Sequence, residues 1–571
     1  MSARGTGFTL TEWSGVTAII VVTVVVVATG ALAGTAGPLP DRWILVNNWL
    51  VSDADVDRIR EVVTVGADHG MNGIVLDAGL DCLDTLPPER IERLAKVRGI
   101  CEERGVEIVP LILSVGYGHA ALRSDRNFAE GLPVEDALYV VEGDTARLQP
   151  NPAVMFPGGD MERADPAGEI TGLSFQESPG RVTFPDRDVS HAEEGSLRIE
   201  ISRDDNPAGK GRISADIAVR KRAQYRLSFW FRAEGLQPAG ALQACIYGGE
   251  GEIDQLVPAS GPDVGWTSAV FSFNSLGNSS LAVWLGLWGA ESGTVWIDDV
   301  RFEEIGLRRV VRREGTPLVV RGEGGRVYSE GRDYAPVSDP LAADPSGDGD
   351  DVALRLLNGG AIRPGEQLRL SFYHAAVLSR KMQTPLCMSN PALYEHWAEQ
   401  VERIRQTLNP RSFFLDMDEI RAGGSCASCK ARGLTMGQIL GDCLTRQVAI
   451  LRAARPDANV YVWSDMLDPS HNAHGRFYLV DGDFAGSWEA APKDLVVACW
   501  GDPKALEFFS TAGFPTAAMP GMDGGDLAAA RGWVEALSRT RMPRGAAYVT
   551  WNADYQSLPA FGDLLSAAFP L

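Results

Sequence analysis

Beyond Pro40 the chain alternates short apolar runs with amphipathic stretches. Trp43 to Asn48 is apolar up to its last two residues, the pattern of a strand buried on both faces. Ser52-Asp53 then caps a helical pattern that runs to about Gly70. Gly73 to Asp77 is a second strand, a helix begins at Pro87-Pro88 and continues through Glu103, and Val106 to Ser114 is a third strand. Such βαβα repetition predicts a parallel sheet or a barrel. The pattern stops near Gly118 and resumes after Asn390. There a helix from Pro391 to Leu408 leads into a strand from Phe413 to Asp418, and Met436 to Ala454 forms a long amphipathic helix. Strands follow at Asn459 to Asp465, Leu495 to Trp500, Thr516 to Pro520 and Ala546 to Trp551.

Three strands before the interruption and five after it make eight. The expected fold class is therefore α/β: a (β/α)8 TIM barrel interrupted after strand 3 by a β-sandwich, or jelly-roll, domain. An open doubly wound sheet is the alternative, disfavoured because no glycine-rich phosphate loop follows the first strand. The intervening region carries many short alternating segments, among them Tyr225 to Phe231, Trp266 to Phe273 and Thr294 to Phe302. Spaced strands of this kind predict the sandwich. The expected division is a targeting segment over 1–37, barrel strands 1–3 over 41–149, the sandwich over 150–306, a β-rich connection over 307–389 and barrel strands 4–8 over 390–571.

At 571 residues the chain exceeds what one hydrophobic core organises, which agrees with several domains. The formal net charge is -22, from 53 basic and 75 acidic residues, and no basic run stands out. Nucleic acid is thus not an expected partner. Ser14 to Gly37 has no charged residue and carries the run Val21 to Val27. It reads as a signal peptide or a membrane anchor: Ala31-Leu32-Ala33 is a small-x-small cleavage site, while the apolar stretch, at about 20 residues, could span a bilayer uncleaved. Either places the body of the protein outside the cytoplasm, secreted or attached to the membrane.

Eight cysteines in so long a chain do not make a disulfide scaffold. Only Cys426-Ala-Ser-Cys429 is locally suggestive. A disulfide pinning its loop is the first reading; a zinc site is the second, since no matching second Cys-x-x-Cys or His pair follows, although His471 and His474 could serve. No metal is expected to take part in catalysis.

The chemistry gathers at Arg411 to Glu419, where an apolar strand ends on the adjacent carboxylates Asp418 and Glu419 before a glycine-rich loop. Two neighbouring carboxyls at the C-terminal end of a barrel strand can share a pocket and push each other's pKa apart. The bland alternative has Asp418 capping the loop and Glu419 paired with Arg421. Trp463, Trp500 and Trp551 fall at or near strand ends, which face the barrel mouth, so they are candidates for ligand contact. Asp465, Asn552 and Tyr555 lie close by, and Asp77, Asn48 and His119 are weaker candidates.

The opening Gly158-Gly-Asp-Met-Glu162 and the closing Val295 to Glu303 resemble the first and last strands of jelly-roll carbohydrate-binding modules. That resemblance implies a sugar-binding or spacer sandwich, with a structural calcium on carboxylates such as Asp160, Glu162 and Asp299. Trp230, Trp266, Trp284 and Trp288 are either platforms for sugar faces or core residues, with the core the stronger expectation. The acidic loop Asp344 to Asp351 reads as solvated, calcium being second.

The barrel resembles, distantly, the family 20 glycoside hydrolases, the β-N-acetylhexosaminidases, whose motif is His-x-Gly-Gly/Ala-Asp-Glu. Here Asp418 and Glu419 match its last two positions, while Phe414, Asp416 and Met417 occupy the others. The resemblance implies hydrolysis of β-linked, N-acetylated sugars, with Glu419 as general acid and Asp418 orienting the substrate's 2-acetamido group. The expected partner is an oligosaccharide or polysaccharide. Two alternatives stand beside it: a catalytically inactive barrel that binds glycans, and a retaining glycosidase whose nucleophile is Asp77 or Asp465.

Overall fold

The computed structural model of the protein describes residues 38–570 except 193, 205, 340–350, 380–381 and 526. The N-terminal targeting segment, and all of the acidic loop but Asp351, lie outside the described residues. Among the described residues no helix is long and apolar enough to cross a membrane.

Eight parallel strands close a barrel: β1 (Asp41–Asn47), β2 (Gly73–Asp77), β3 (Glu107–Ile112), β4 (Ser412–Leu415), β5 (Asn459–Trp463), β6 (Val496–Cys499), β7 (Thr516–Ala518) and β8 (Pro543–Tyr548). Pairing of Trp43 with Ala547 joins β8 to β1 and removes the open-sheet alternative. The helices include α1 (Asp53–Asp68), α2 (Pro88–Arg104), α3 (Pro391–Leu408), α4 (Met436–Ala454), α5 (Lys504–Thr511), α6 (Leu527–Ser538) and α7 (Leu558–Ala568). Capping boxes at Ser52/Asp55 and Thr435/Gln438 satisfy the first free N–H groups of α1 and α4 and so fix where each helix starts. Buried Arg42 in β1 donates to Ser566 and to the Phe569 carbonyl, holding α7 over the seam.

Alternation along each strand divides the core in two. Trp43, Leu45, Val75, Val109, Leu111, Phe414, Tyr461 and Trp463 fill the barrel interior. Ile44, Val46, Ile74, Phe413, Leu415 and Val462 face the helices. Strand β4 is shorter than its sequence suggests: the Met417 N–H turns back to the Leu415 carbonyl at 3.0 Å, so Asp416 to Glu419 leave the ladder and form the rim.

The interruption after β3 holds the sandwich, two five-stranded antiparallel sheets with strand orders 264–274, 224–237, 292–305, 196–202, 183–186 and 251–256, 242–248, 280–287, 211–218, 175–176. A further six-stranded sheet draws on both flanks of the sandwich, because 367–375 pairs antiparallel with 131–142. The strands 131–142 and 145–148, which the sequence groups with the first barrel segment, thus belong to this connecting sheet.

Two expectations for the sandwich are corrected. Trp230, Trp266, Trp284 and Trp288 are all half-exposed and none enters the core. Alternation buries Phe229 and Phe231, which turns Trp230 outward to stack on His191 at 3.8 Å. The calcium carboxylates do not assemble: Glu162 accepts from Arg187 at 2.7 Å and from the Glu194 and Gly195 N–H groups, Asp299 faces His191 at 2.8 Å, and Asp160 is exposed.

Candidate functional site

A cavity of about 450 Å³ opens at the C-terminal mouth of the barrel. Alternation carries past the end of β4: Phe414 points into the barrel, Met417 is buried against the helices, and Asp416 and Asp418 both line the cavity. Their carboxyls are both buried in it, and Asp416 raises the cost of ionising Asp418. Of two carboxyls that share a buried site, one is held protonated to a higher pH than usual. Asp418 Oδ1 is closed to solvent, and no N–H or O–H of the described residues reaches it.

Glu419 enters the same cavity because its φ of +43° turns the chain in the left-handed region, at a cost of about 1–2 kcal/mol for a residue with a Cβ. Tertiary bonds hold this turn. The Glu419 N–H donates to Asp465 at 2.9 Å, and Gln383 donates to the Glu419 carbonyl at 2.9 Å. Its carboxylate meets Arg421 at 2.6 Å and accepts from the Tyr117 hydroxyl. Arg421 also reaches Gln383 at 2.9 Å and lies over the Tyr478 ring. The pairing of Glu419 with Arg421 is the bland sequence alternative, here built into the cavity wall.

Burial is the main cause of the carboxyl pKa shifts. It pushes Asp418 well above the carboxylate range, with Asp416, Asp465 and Glu419 adding like charge. Asp416 rises to about 6 and Asp77 to about 7, the latter aided by repulsion from Asp416. Asp81, which caps the end of β3 by accepting from the Leu113 and Ser114 N–H groups, rises to about 6. For Asp77 the folded value exceeds the ordinary 3.8, so the folded state binds the proton more tightly. The contribution of Asp77 to stability is full below about pH 3.8 and is lost as the pH rises through about 7. An Asp77→Asn variant is therefore expected to be more stable than wild type at pH 8, by about 2 to 4 kcal/mol, and no more stable at pH 4. Denaturant midpoints at the two pH values check this.

The other expected site residues divide. Trp463, Trp500, Trp551, Asp77 and His119 line the cavity with Asp418 and Glu419. Trp463 is buried between Phe414, Trp500 and Trp551 and forms the floor, whereas Trp551 is 52% exposed at the rim. Asp465 is fully buried beneath Glu419, accepting from its N–H, from Asn472 at 2.8 Å and from the Trp500 indole at 3.2 Å, and so positions these groups instead of meeting ligand. Asn48 and Tyr555 line a neighbouring cleft along α1, and Tyr555 donates to the Leu45 carbonyl. Asn552 is exposed outside both. Sequence reasoning missed Asp416, Tyr117, Trp49 and Arg421 as site residues. Asp416 was legible from its i, i+2 relation to Asp418, and Tyr117 from its place two residues before His119. Trp49, which stacks on His119 at 5.1 Å, gave no such signal.

The loop after β3 approaches this rim closely. A Cβ on Gly116 would stand 2.2 Å from the Asp418 carbonyl oxygen, a backbone atom that cannot swing away. Gly116→Ala is expected to destabilise the protein by about 1–3 kcal/mol and to displace Asp418; thermal unfolding alongside ligand affinity checks it.

The expected local disulfide is absent, for Cys426 and Cys429 are both free. Their sulfurs instead lie 3.6 and 3.7 Å from that of Cys387. His471 packs on Trp500 and His474 is exposed.

No family profile and no curated protein matches the chain. Among solved structures, a rhamnosidase from Novosphingobium sp. PP1Y is 12% identical, aligning over 91% of this chain and 56% of its own with a TM-score of 0.30. A family 16 carbohydrate-binding module-2 is 12% identical over 24% of this chain and 95% of the module, with a TM-score of 0.18. The CBM22-1 xylan-binding domain from Paenibacillus barcinonensis Xyn10C is 13% identical over 27% of this chain and 93% of the domain, at 0.19. The chemistry of the site rests on its own geometry.

Proposed function

We propose that the protein is an extracytoplasmic glycoside hydrolase that cleaves β-linked, N-acetylated sugars in the barrel-mouth cavity. One observation carries this reading: two buried carboxyls, Asp416 and Asp418, stand beside a carboxylate, Glu419, held by Arg421 and Tyr117, in a cavity walled by Trp463, Trp500 and Trp551. An acid and a base set apart by their surroundings are what glycosidic cleavage needs. Indole faces suit the apolar faces of sugar rings.

The proposed roles within the Asp-Glu pair exchange those that the family 20 resemblance implies. Asp418 donates the proton to the glycosidic oxygen, and repulsion from Asp416 makes the resulting Asp418 carboxylate a base that takes a proton back from the attacking water. Glu419 accepts the acetamido N–H of the substrate and faces the positive charge that develops at the anomeric carbon. The acetamido carbonyl oxygen forms the new bond to that carbon as the glycosidic bond breaks, and water later opens the resulting ring. Supporting the exchange are the upward pKa of Asp418 and the contact of Glu419 with a guanidinium and a phenol, both of which engage a carboxylate.

The test is hydrolysis of β-aryl glycosides with and without a 2-acetamido group by the chain lacking residues 1–37. Release from acetamido sugars alone is the expected result. Release from plain sugars would replace the acetamido group by Glu419 as nucleophile. Binding of glycans without any release would overturn the enzyme in favour of a glycan-binding barrel.

A further inference from the structure

Where the chain leaves the barrel for the inserted domains it passes through Glu130, and where it returns it passes through Cys387. These two residues sit side by side. An antiparallel bridge joins Ala129 to Leu386, the Glu130 N–H donates to the Pro385 carbonyl at 2.8 Å, and the Cys387 N–H donates to the Phe128 carbonyl at 2.9 Å. The loop after β4 then brings Cys426 and Cys429 against them, with the Cys426 N–H donating to Glu130 Oε1 at 3.1 Å. One thiol, two thiols one helical turn apart and one carboxylate thus converge from three segments distant in sequence.

We propose that Glu130, Cys387, Cys426 and Cys429 form a tetrahedral site for a thiophilic divalent cation of the zinc class. All four ligand atoms lie within 4.8 Å of one another. A tetrahedral ion with metal–sulfur bonds of about 2.3 Å spaces its sulfurs about 3.8 Å apart. The sulfurs of Cys426 and Cys429 lie 3.6 and 3.7 Å from Cys387, and Glu130 Oε2 lies 3.8 Å from Cys429 Sγ. A disulfide would need about 2.05 Å.

The carboxylate is the second, independent argument. Glu130 is wholly buried, and no Lys, Arg or His of the described residues forms an ion pair with it. Thiols alone do not explain an acid enclosed among them, since a carboxyl taken out of water is costly unless it is neutralised, paired or bound to a metal. Arg313 is the cation that faces the cluster, donating to Cys426 Sγ at 3.8 Å and to the carbonyls of Asn127 and Ala129. That is the geometry of an outer-shell group that orients a ligand, not of a partner to Glu130. Three sulfurs select zinc-like ions over calcium or magnesium, which take oxygen ligands.

The site sits where it can hold three things at once: the exit to the insertion, the return from it, and the loop that carries Arg421. Gln383, four residues before Cys387, bonds both Arg421 and the Glu419 carbonyl. The bound ion would therefore tie the inserted domains to the rim of the cavity without touching ligand itself.

Metal content decides the matter. Chain 38–571, purified from zinc-supplemented culture, is expected to hold one equivalent of zinc by mass spectrometry. Replacement with cobalt(II) should give the thiolate-to-metal absorption in the near ultraviolet and the strong visible bands of a tetrahedral site. Cys429→Ser should lose the metal and these bands, while Cys101→Ala, in the barrel core, should keep both. Because the spectrum is read on the unaltered protein, a variant that fails to fold does not blunt the test. Metal-free protein with all these thiols open to alkylation on unfolding, or a disulfide mapped between any two of them, would overturn the proposal.

Discussion

Asp418→Asn is expected to lower hydrolysis of acetamido sugars bearing a poor leaving group by about 100- to 10,000-fold, the usual worth of general acid catalysis. With an activated aryl leaving group, which departs without a proton, the same variant should retain most of the wild-type rate. Glu419→Gln should lose rate with both kinds of substrate, because charge at the anomeric carbon must be met whatever leaves. Burial, with like charge from Asp416, resists ionisation of Asp418, whereas Arg421 and Tyr117 both favour a charged Glu419. Single-turnover rates against leaving-group pKa read the difference directly. If the leaving-group dependence appears in Glu419→Gln and not in Asp418→Asn, the donor is Glu419 and the exchange of roles fails.

Arg421→Met is expected to cost about 2 to 4 kcal/mol of stability, somewhat under the 3–5 typical of a broken buried pair. Arg421 is 5% exposed and Glu419 25%, so water can compensate part of the uncovered carboxylate. The loss should shrink in the double variant Arg421→Met/Glu419→Gln, where no charge is left alone, with a coupling of about 1–3 kcal/mol in a double-mutant cycle. Additive losses would mean that the two side chains do not act as a pair. Denaturant unfolding checks stability, and ligand affinity should fall in parallel, since Arg421 also orders Tyr117 and Gln383 around the rim.

The barrel was legible because its signals are local. Apolar runs between amphipathic periods locate all eight strands, and Asn390-Pro391 and Thr435 mark helix starts where capping occurs. Strand ends were less legible. Nothing in Phe413 to Asp418 announces that Met417 bonds back to Leu415 and releases the rim. The usual burial of aromatic residues in sandwich cores places the tryptophans inside, whereas alternation about Phe229 and Phe231 turns Trp230 outward. Asp416 shares a face with Asp418 through its i, i+2 spacing, a relation less conspicuous than the adjacency of Asp418 and Glu419.

What the sequence by itself determined is the order of elements, the interruption after the third strand and the acid-rich end of the fourth, since each follows from the spacing of side chains along one segment. Only the tertiary structure decided which groups meet. Asp465 went beneath Glu419 and not into the cavity, Arg421 and Tyr117 came to the same carboxylate, and Glu130 and Cys387, separated in sequence by the whole insertion, closed on Cys426 and Cys429. Contacts between residues hundreds of positions apart depend on how strands close into a barrel and where an insertion returns, and no local period encodes that.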